Sequence, residues 1–528
     1  MSFKASYRKS FFRQLVAIAV VLCFTPSIEL AMGATFTLSK EISSDTTVQQ
    51  KFAAPGLTLT IESGISLIRS ASATVNVDGQ SDSTIVIKSG ATVATEKDGS
   101  KDNAIKANSA TNTTIINSGT ISSEDQNGIK IDLSTNGIIT NNAGGLITAA
   151  TDVAILADSS TNLTITNSGK IYAPSPSSTA IQLGASTGAT LTLNAGSLII
   201  GKITTTATGN KLQFDHGFGR AYFYETTGDF TLEDLSGNTV VKGSAGSVSL
   251  GGQETVDELL GLRTYNLRSA LKRYASAPKL PNKNMVWGET FGYSSKRGGT
   301  DTLLKYDTYG YGMNFIHPVM PKLDLILSVE RNEIDFPEEY DVSRTGFLAG
   351  VNVSEFSGFG KGNWKLGGFA VAGMGWYDST REILTNTTSS GLLDVTADYK
   401  SVEVITGLNI NHSYQSPPRF VWGTPTANGK IKNRWDTEMG LTLQGSHTGD
   451  YNERAYFFFE ERTLVQESIH LGEQLTSTFN DRLDITLGLE YEFRLALAGK
   501  NQTYRINNTP TDYTDGSFSE NSGSGNLG

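Results

Sequence analysis

The sequence predicts an all-β fold in two parts: an N-terminal right-handed parallel β-helix, or solenoid, and a C-terminal antiparallel transmembrane β-barrel with an α-helix in its pore. Three observations predict this fold. The N-terminal half repeats two sequence markers in phase, the C-terminal half alternates apolar and polar residues over long stretches, and one helical pattern separates the two halves.

The composition indicates a long, turn-rich chain with thin cores. Of its 528 residues, 55 are glycine and 18% are charged, so several structural parts are expected. The formal net charge is -10, whereas a protein that binds nucleic acid presents a basic face to the phosphates. We therefore expect no nucleic-acid partner.

Residues 1–33 are predicted to form a signal peptide. Basic residues from Lys4 to Arg13 precede an apolar run from Leu15 to Phe24, and Ala31-Met32-Gly33 offers small residues for cleavage before Ala34. The apolar run is too short to span a bilayer as a helix, and no later part of the chain has an unbroken apolar stretch of spanning length. Membrane residence would therefore require a barrel.

Residues 34–213 are predicted to form the solenoid, because two markers repeat in phase. Glycines recur with steps of 26, 29, 25, 25 and 27 residues at Gly64, Gly90, Gly119, Gly144, Gly169 and Gly196. The second marker precedes the following glycine by 15 or 16 residues and consists of Ala104-Ile105, Gly128-Ile129, Ala154-Ile155 and Ala180-Ile181. Two markers in phase predict one coil per period.

The predicted coils have an apolar interior and polar corners. Inward side chains are expected at Ile115, Ile129, Ile155, Ile165 and Ile181. Asn, Ser and Gly would form corners that require left-handed backbone angles. About six coils stacked at roughly 4.8 Å would give a stalk about 30 Å long. A low-complexity linker is the alternative, but a linker does not require phased isoleucines.

Residues 214–252 are predicted to close the open end of the solenoid, because aromatic residues appear from Phe214 to Phe230. His216 lies in this cluster and is interpreted as a packing residue.

A helix and linker are predicted over residues 253–280. An apolar stripe runs along Gln253–Tyr274, and Pro278 and Pro281 end the helix. The helix could be a linker or could occupy a polar lumen, and its basic residues favour the lumen.

Residues 285–528 are predicted to form the barrel. Ile485, Leu487, Leu489, Tyr491 and Phe493 alternate with polar residues, as do Leu323, Leu325, Leu327 and Val329. The strands of a soluble β-sandwich also alternate apolar and polar residues, so strand length decides between a sandwich and a membrane barrel. The runs Trp364–Tyr377 and Val402–Ser413 exceed ordinary globular strands and match the span of a tilted membrane strand.

Three motifs that follow the helix, Val286–Gly292, Tyr309–Met313 and Gly373–Thr380, resemble the translocator domain of the autotransporter family (type V secretion). The resemblance covers about half of the chain. The coils resemble the β-helical passenger of that family, and Phe214–Leu250 occupies the place of its junction or autochaperone segment. The family barrel has twelve strands and a pore helix, a role carried over only to Gln253–Tyr274.

The resemblance implies location in the cell outer membrane, with outer-membrane lipid, the barrel assembly machinery and periplasmic chaperones as partners. About nine or ten strands can be counted from Val286 before Ser517–Gly528, which is interpreted as a loop. The family instead ends on an alternating strand with a terminal aromatic residue. We therefore expect that C-terminal strands are missing from this sequence.

No catalytic residue, cofactor or metal site is predicted. The single cysteine, Cys23, lies in the predicted signal peptide. Ser83 and Ser118 lie at repeat corners and have no partner histidine other than His216. Two pairs of acids, Asp98 with Asp102 and Glu124 with Asp125, are interpreted as solvated loop residues. No calcium site is predicted, because Gly144-Gly145 is followed by Leu146 instead of a calcium-binding turn. The barrel histidines are scattered, so their spacing predicts no metal site.

These patterns predict a structural surface protein that displays its passenger at the cell surface, for adhesion or another interaction with a surface ligand of unknown identity. The alternative is the precursor of a released extracellular hydrolase. A porin-like channel with an N-terminal extension is disfavoured, because the predicted helix would fill the lumen.

Overall fold

The computed structural model describes residues 33–97, 99, 102–240, 245–249, 251–276, 285–300, 304–337, 340–359, 364–416, 431–454, 456–479, 483–499, 502–506, 516–518 and 525–527. Residues 1–32 of the predicted signal peptide, Asp98, Pro278 and Pro281 lie outside the described residues.

The strands that precede the helix are short, with two to six residues each, because each side of a coil spans only a few residues before the chain turns a corner. They are β1 Ala34–Phe36, β2 Lys40–Ile42, β3 Gln50–Phe52, β4 Thr58–Ile61, β5 Ser66–Arg69, β6 Val75–Asn76, β7 Thr84–Ile87, β8 Thr92–Thr95, β9 Ile105–Lys106, β10 Thr114–Asn117, β11 Thr120–Ser123, β12 Ile129–Lys130, β13 Ile138–Asn141, β14 Leu146–Ala149, β15 Ile155–Leu156, β16 Thr164–Asn167, β17 Lys170–Tyr172, β18 Thr179–Gln182, β19 Thr190–Asn194, β20 Leu198–Ile200, β21 Lys202–Thr204, β22 Asn210–Asp215, β23 Tyr222–Tyr224, β24 Thr226–Thr227, β25 Phe230–Asp234 and β26 Ala245–Ser247.

These strands form the three faces of a parallel solenoid, which confirms the predicted N-terminal fold. The first face is the nine-stranded sheet β1-β3-β6-β9-β12-β15-β18-β21-β24, and the second is the nine-stranded sheet β2-β4-β7-β10-β13-β16-β19-β22-β25. The third face is the six-stranded sheet β20-β17-β14-β11-β8-β5. Only the third face matches the expected six coils, because the other two faces continue beyond it at both ends.

The phased isoleucines stack in register inside the solenoid. Ile105, Ile129, Ile155 and Ile181 pair along the first face. Ile115, Ile139, Ile165 and Leu191 pair along the second. Each of these side chains is at most 1% exposed, and full burial of one such side chain contributes about 1.5–3 kcal/mol. The second marker of the sequence therefore predicted the register of the first face.

The marker glycines serve two different purposes, which corrects the expectation that all of them provide left-handed angles. Gly64 and Gly144 have positive φ values of 77° and 84°. Gly119 and Gly169 do not, but a Cβ at either position would collide with a backbone carbonyl of the preceding coil. At these two corners the coils approach so closely that only glycine fits.

Buried asparagines stabilise the same corner between coils. The Asn117 amide donates to Asn141 Oδ1 at 2.8 Å, and the Asn141 amide donates to Asn167 Oδ1 at 2.8 Å. All three side chains are fully buried, so each amide needs the partner that the next coil supplies. This ladder ties three successive coils together.

Adjacent isoleucines on β13 provide a matched test of the solenoid core. Ile139 is 0% exposed and Ile138 is 42% exposed on the outer surface. We expect Ile139→Asp to bury an unpaired charge, to cost about 3–5 kcal/mol, and to unfold the neighbouring coils. Ile138→Asp should remain as resistant to protease as the unmodified protein. Equal protease resistance of the two variants would contradict the coil assignment.

Aromatic residues pack at the end of the solenoid core that lies nearest the helix. The rings of Phe214 and Tyr222 stack with their centroids 4.4 Å apart, and those of Phe214 and Tyr224 lie 5.8 Å apart. His216 donates from Nδ1 to the Asn194 carbonyl at 3.2 Å and accepts at Nε2 from the Tyr224 hydroxyl at 3.0 Å. This histidine is therefore a neutral packing residue.

Burial lowers the pKa of His216 from 6.5 to about 4, partly opposed by its hydrogen bond to the Asn194 carbonyl. Because the pKa is lower in the folded state, the stability linked to this residue is complete above pH 6.5 and is lost as the pH falls towards 4. The loss should reach about 3 kcal/mol. Chemical unfolding of the solenoid measured between pH 7 and 4 checks this. His216→Gln should flatten the profile, whereas the exposed His447→Gln should not.

The helix α1 spans Gly251–Ser276, two residues beyond each end of the predicted Gln253–Tyr274. The strands that follow it are β27 Trp287–Arg297, β28 Tyr306–Met320, β29 Leu323–Phe336, β30 Tyr340–Phe359, β31 Trp364–Thr385, β32 Leu392–Ser416, β33 Ile431–Thr448, β34 Tyr451–Glu453, β35 Phe457–Phe459, β36 Arg462–Phe479, β37 Leu483–Ala498, β38 Gln502–Ile506, β39 Gly516–Phe518 and β40 Gly525–Leu527.

The long strands form an antiparallel meander that curls around α1 as a half-barrel, in the order β27-β28-β29-β30-β31-β32-β33-β36-β37-β40. Within the described residues, the first and last of these strands do not pair with each other. The described parts of the segment Ser517–Gly528 differ from the expected loop, since residues 517–518 belong to β39 and residues 525–527 form β40. There β40 pairs with the edge of β37, because an unpaired strand edge readily accepts another backbone segment.

The sheet has an inverted distribution of polarity. On β29, Leu325, Leu327 and Val329 are exposed, whereas Asp324 and Glu330 are buried. A soluble sheet buries its apolar face, so the curled sheet presents to its exterior what a soluble protein would enclose. The alternation found in the sequence is confirmed, with the apolar set on the outside.

Candidate functional site: the helix inside the curled sheet

The helix α1 packs its apolar stripe against the inner surface of the sheet. Its buried residues include Leu260, Leu267 and Leu271, which contact apolar side chains such as Ile326 and Ile405. These residues are separated by seven and four positions, which are two turns and one turn of helix, so they share one face. In the part of the chain that the structure describes, no helix is both long enough and apolar enough to cross a membrane.

The N-terminal part of the helix is acidic and faces basic residues. Asp257 Oδ2 accepts a hydrogen bond from Arg462 Nη1 at 3.1 Å, and a second contact joins the same two side chains. Glu258 accepts hydrogen bonds from Arg297 and from the Tyr306 hydroxyl. Asp257 and Glu258 lie in the second turn of α1, beyond the reach of the helix dipole, so these pairs themselves account for the stabilisation of the two acids.

Arg263 forms the centre of a buried charge network. Its guanidinium pairs with Glu403 and lies 3.5 Å from Glu330. Glu403 also pairs with Arg344 of β30 at 2.6 Å. All four side chains are nearly inaccessible to solvent. A buried charge is tolerated only when it is paired, so the helix and the strands require each other here.

Arg268 joins the helix to β37 through two carboxylates. It pairs with Glu490, and its Nη1 lies 3.0 Å from Glu492. Glu492 is itself shared with Arg494 at 2.7 Å. The planar guanidinium can engage two carboxylates at once, which lysine cannot do in the same geometry.

The last turn of the helix is basic and faces acids on other strands. Lys272 lies 3.2 Å from Glu438 on β33. Arg273 donates from two nitrogens to Glu289 on β27, each at 2.7 Å. Cations near a helix C-terminus are favoured by the dipole, so the charge order agrees with the direction of the helix.

The charges of the lumen reverse sign from one end of the helix to the other. Glu258 and Arg273 are separated by about 22 Å along the helix at 1.5 Å per residue. Their partners Arg297 and Glu289 both belong to β27, about 27 Å apart at 3.4 Å per residue. An inverted helix would place like charges together. The pairing therefore stabilises the orientation that the structure shows, in which the N-terminal part of α1 packs with Phe223 and Val248 at the solenoid end.

The serines and paired acids of the solenoid that could in principle catalyse a reaction lie in its corners and loops. Ser118 accepts a hydrogen bond from Asn142 at 2.9 Å, and Ser83 is buried beneath its corner. Glu124 and Asp125 accept hydrogen bonds from the backbone amides of Lys97 and Gly99. Within the described residues, no group of three or more His, Cys, Asp or Glu side chains could hold a metal ion.

The strand residues that pair with the helix were not identified from the sequence. The alternation assigned Glu330, Glu490 and Glu492 to the polar face of the sheet, but pattern alone could not pair them with Arg263 or Arg268. Those partners lie more than 60 residues away along the chain, and only the curl of the sheet brings them together.

No family model, no curated protein and no solved structure matches this chain.

The buried and exposed ion pairs should differ in their effect on stability. We expect Arg268→Met to lower the free energy of unfolding by about 3 kcal/mol, because it leaves buried carboxylates with fewer partners. Lys296→Met removes a pair with Asp307 in which the lysine side chain is 73% exposed, and it should change stability by about 0.5 kcal/mol or less. Denaturant unfolding in detergent micelles measures both. Equal losses would mean that the helix charges have no special role.

Proposed function

We propose that this protein is an autotransporter, which exports its own β-solenoid through a barrel and displays it at the cell surface. One observation carries the proposal: a charged helix lies inside a curled sheet whose exterior is apolar, and this helix follows a solenoid in the chain. No soluble function requires a sheet with its apolar face outside and ion pairs within.

The exterior of the sheet supports a location in lipid. Leu487 and Leu489 on β37 are each 70% exposed, and similar residues follow on the neighbouring strands. Large continuous apolar surfaces are rare on soluble monomers. Outer-membrane barrels carry such a band about 25 Å tall. The proposed partners are outer-membrane lipid, the barrel assembly machinery and periplasmic chaperones.

The upper limit of the apolar band is sharp and lies at the same level on neighbouring strands. On β31 the outward residues change from Trp376 to Asp378, and on β32 they change from Val402 to Lys400. The register pairs Trp376 with Lys400 and Asp378 with Asp398. An aromatic residue followed by charged residues is typical of the boundary between lipid and water.

Above this boundary the strands continue towards the solenoid. β31 has 22 residues and β32 has 25, whereas a tilted strand needs about 9–11 to cross a bilayer. The upper part of the β31–β32 hairpin therefore projects from the proposed membrane and carries outward-facing acids, including Asp378, Asp394 and Asp398. This projection supports a solenoid held outside the cell.

A structural role is proposed over the alternative of a released hydrolase. The serines and acids of the solenoid serve its corners, and backbone hydrogen bonds join the end of the solenoid to the barrel strand β31. A passenger held in this way is suited to adhesion or to another contact with a surface ligand.

The proposed topology can be tested by protease treatment of intact cells followed by mass spectrometry. We expect peptides from exposed solenoid turns, and from no strand below the level of Trp376, to appear on intact cells. Peptides from the lower barrel strands should appear only after the cells are broken. Release of solenoid peptides from broken cells alone would contradict surface display.

Export should depend on the helix. Leu267 is 2% exposed in the middle of α1, and proline at this position should cost about 3 kcal/mol from helix propensity alone. We expect Leu267→Pro to reduce display of the solenoid while the barrel still inserts. Tyr265→Ala, at a 40% exposed position of the same helix, is the control and should display normally. Normal display by Leu267→Pro would exclude the helix from the mechanism.

A further inference from the structure

The outward surface of the second face of the solenoid is a regular array of β-branched residues. On the six strands β4, β7, β10, β13, β16 and β19, side chains alternate between the core and the exterior. Two outward columns result, one from Thr58 to Thr190 and the other from Thr60 to Thr192. Every outward residue is threonine, valine or isoleucine, and threonine occupies nine of the twelve positions. This surface is called the threonine face.

The columns of the threonine face are straight. Thr84 lies opposite Thr58 on one side and Thr114 on the other, and the pairing continues to β19 without a bulge. On the first face, by contrast, the register shifts between Thr179 and Ile181. Neighbouring strands lie about 4.8 Å apart, and the two columns lie about 6.7 Å apart because a strand advances about 3.3 Å per residue.

The threonine hydroxyls of this face are available to an external ligand. In the part of the chain that the structure describes, Thr192 is the only threonine of the face whose hydroxyl has a protein partner, Gln213 Oε1 at 3.0 Å. The other hydroxyls therefore bind water. β-Branched side chains have few χ1 rotamers, so the hydroxyl and methyl groups are held in position before a ligand binds.

The threonine face is electrically neutral. Charged residues lie beyond its ends, at Glu41 on β2 and Lys211 on β22. The outward column of the first face, in contrast, includes Lys51, Lys106 and Lys130. A charged polymer placed on the threonine face would lose hydration without gaining an ion pair, so the charge of the face is complementary to a neutral partner.

The threonine face is too small to hold a folded protein by itself. Its columns span about 24 Å by about 7 Å, whereas each partner of a stable protein interface buries about 800 Å². None of its outward residues is aromatic, so it lacks the rings against which sugar chains typically stack. The chemistry that remains is hydrogen bonding to small neutral groups that repeat with the period of the coils.

We propose that the threonine face binds ice. Water molecules on the prism plane of hexagonal ice repeat in two directions, with spacings close to those between the coils and between the two columns. The hydroxyls can therefore take places in the water lattice, while the methyl groups fill the gaps between water molecules. The proposal names the surface ligand and rests on the proposed display function for its setting on a cell, but the array itself belongs to the single chain.

Capture of the full-length chain by ice tests the proposal. The protein in detergent micelles surrounds a slowly growing ice surface, and the fraction taken into the ice is measured. Thr140 lies in the middle of its column, between Ile116 and Thr166. Thr140→Lys places a long charged side chain there, so capture should fall by about tenfold or more.

Gln182→Lys is the matched control, because it introduces the same residue at an outward, half-buried position of the first face. It should be captured like the unmodified protein. Thr140→Val keeps the branched shape and should retain more capture than Thr140→Lys. Hydrogen exchange of the buried second-face strands should be the same in all three variants, which reports that the solenoid is folded.

Failure of ice to capture the unmodified chain would overturn the proposal whatever the variants do, and so would an equal loss in Gln182→Lys. If Thr140→Lys instead changed self-association in sedimentation, or retention on cellulose, with ice capture unchanged, the face would serve a second copy or a glycan and the proposal would be overturned. Ice capture by the purified chain, with solenoid peptides released only from broken cells, would overturn the proposed function and leave ice binding intact.

Discussion

The pairing of exposed strand edges is the constraint on which the rest of this structure depends. Every coil of the solenoid leaves backbone donors and acceptors on both sides, and each must meet another strand, a cap or water. The parallel ladders satisfy these groups between coils, and the aromatic cluster around Phe214 covers the end of the core. On the third face the chain satisfies the edge with a strand from its own barrel.

A second constraint operates inside the curled sheet, where charge must be paired before it can be buried. The helix α1 meets this condition with acids at its beginning and bases at its end, opposite strand residues of the other sign. The same ion pairs therefore stabilise the packing of α1 in the curled sheet and its orientation. The ion pairs that neutralise Arg263 and Arg268 belong to the same set of contacts that holds the N-terminal part of the helix towards the solenoid.

The helix and the hairpin together join the two parts of the chain at two places. The helix connects them along the sequence, and Asn386 connects them through space. A solenoid joined at one point could turn freely about its linker, whereas two attachments fix its base above the sheet. The contact that attaches the solenoid to β31 also pairs the exposed edge of its last coil.

The sequence by itself determined the periodic features: the inward Ile129 and Ile155, the alternation on β29, and the extent of α1 to within two residues. Such features repeat at intervals between two residues in a strand and about thirty residues in a coil, so they can be recognised from the sequence pattern. Only the tertiary structure decided that Gly119 is required for space, that Glu403 pairs with Arg263, and that Asn386 completes a coil. These contacts join residues whose proximity arises from the stacking of coils and the curl of the sheet, which no local period encodes.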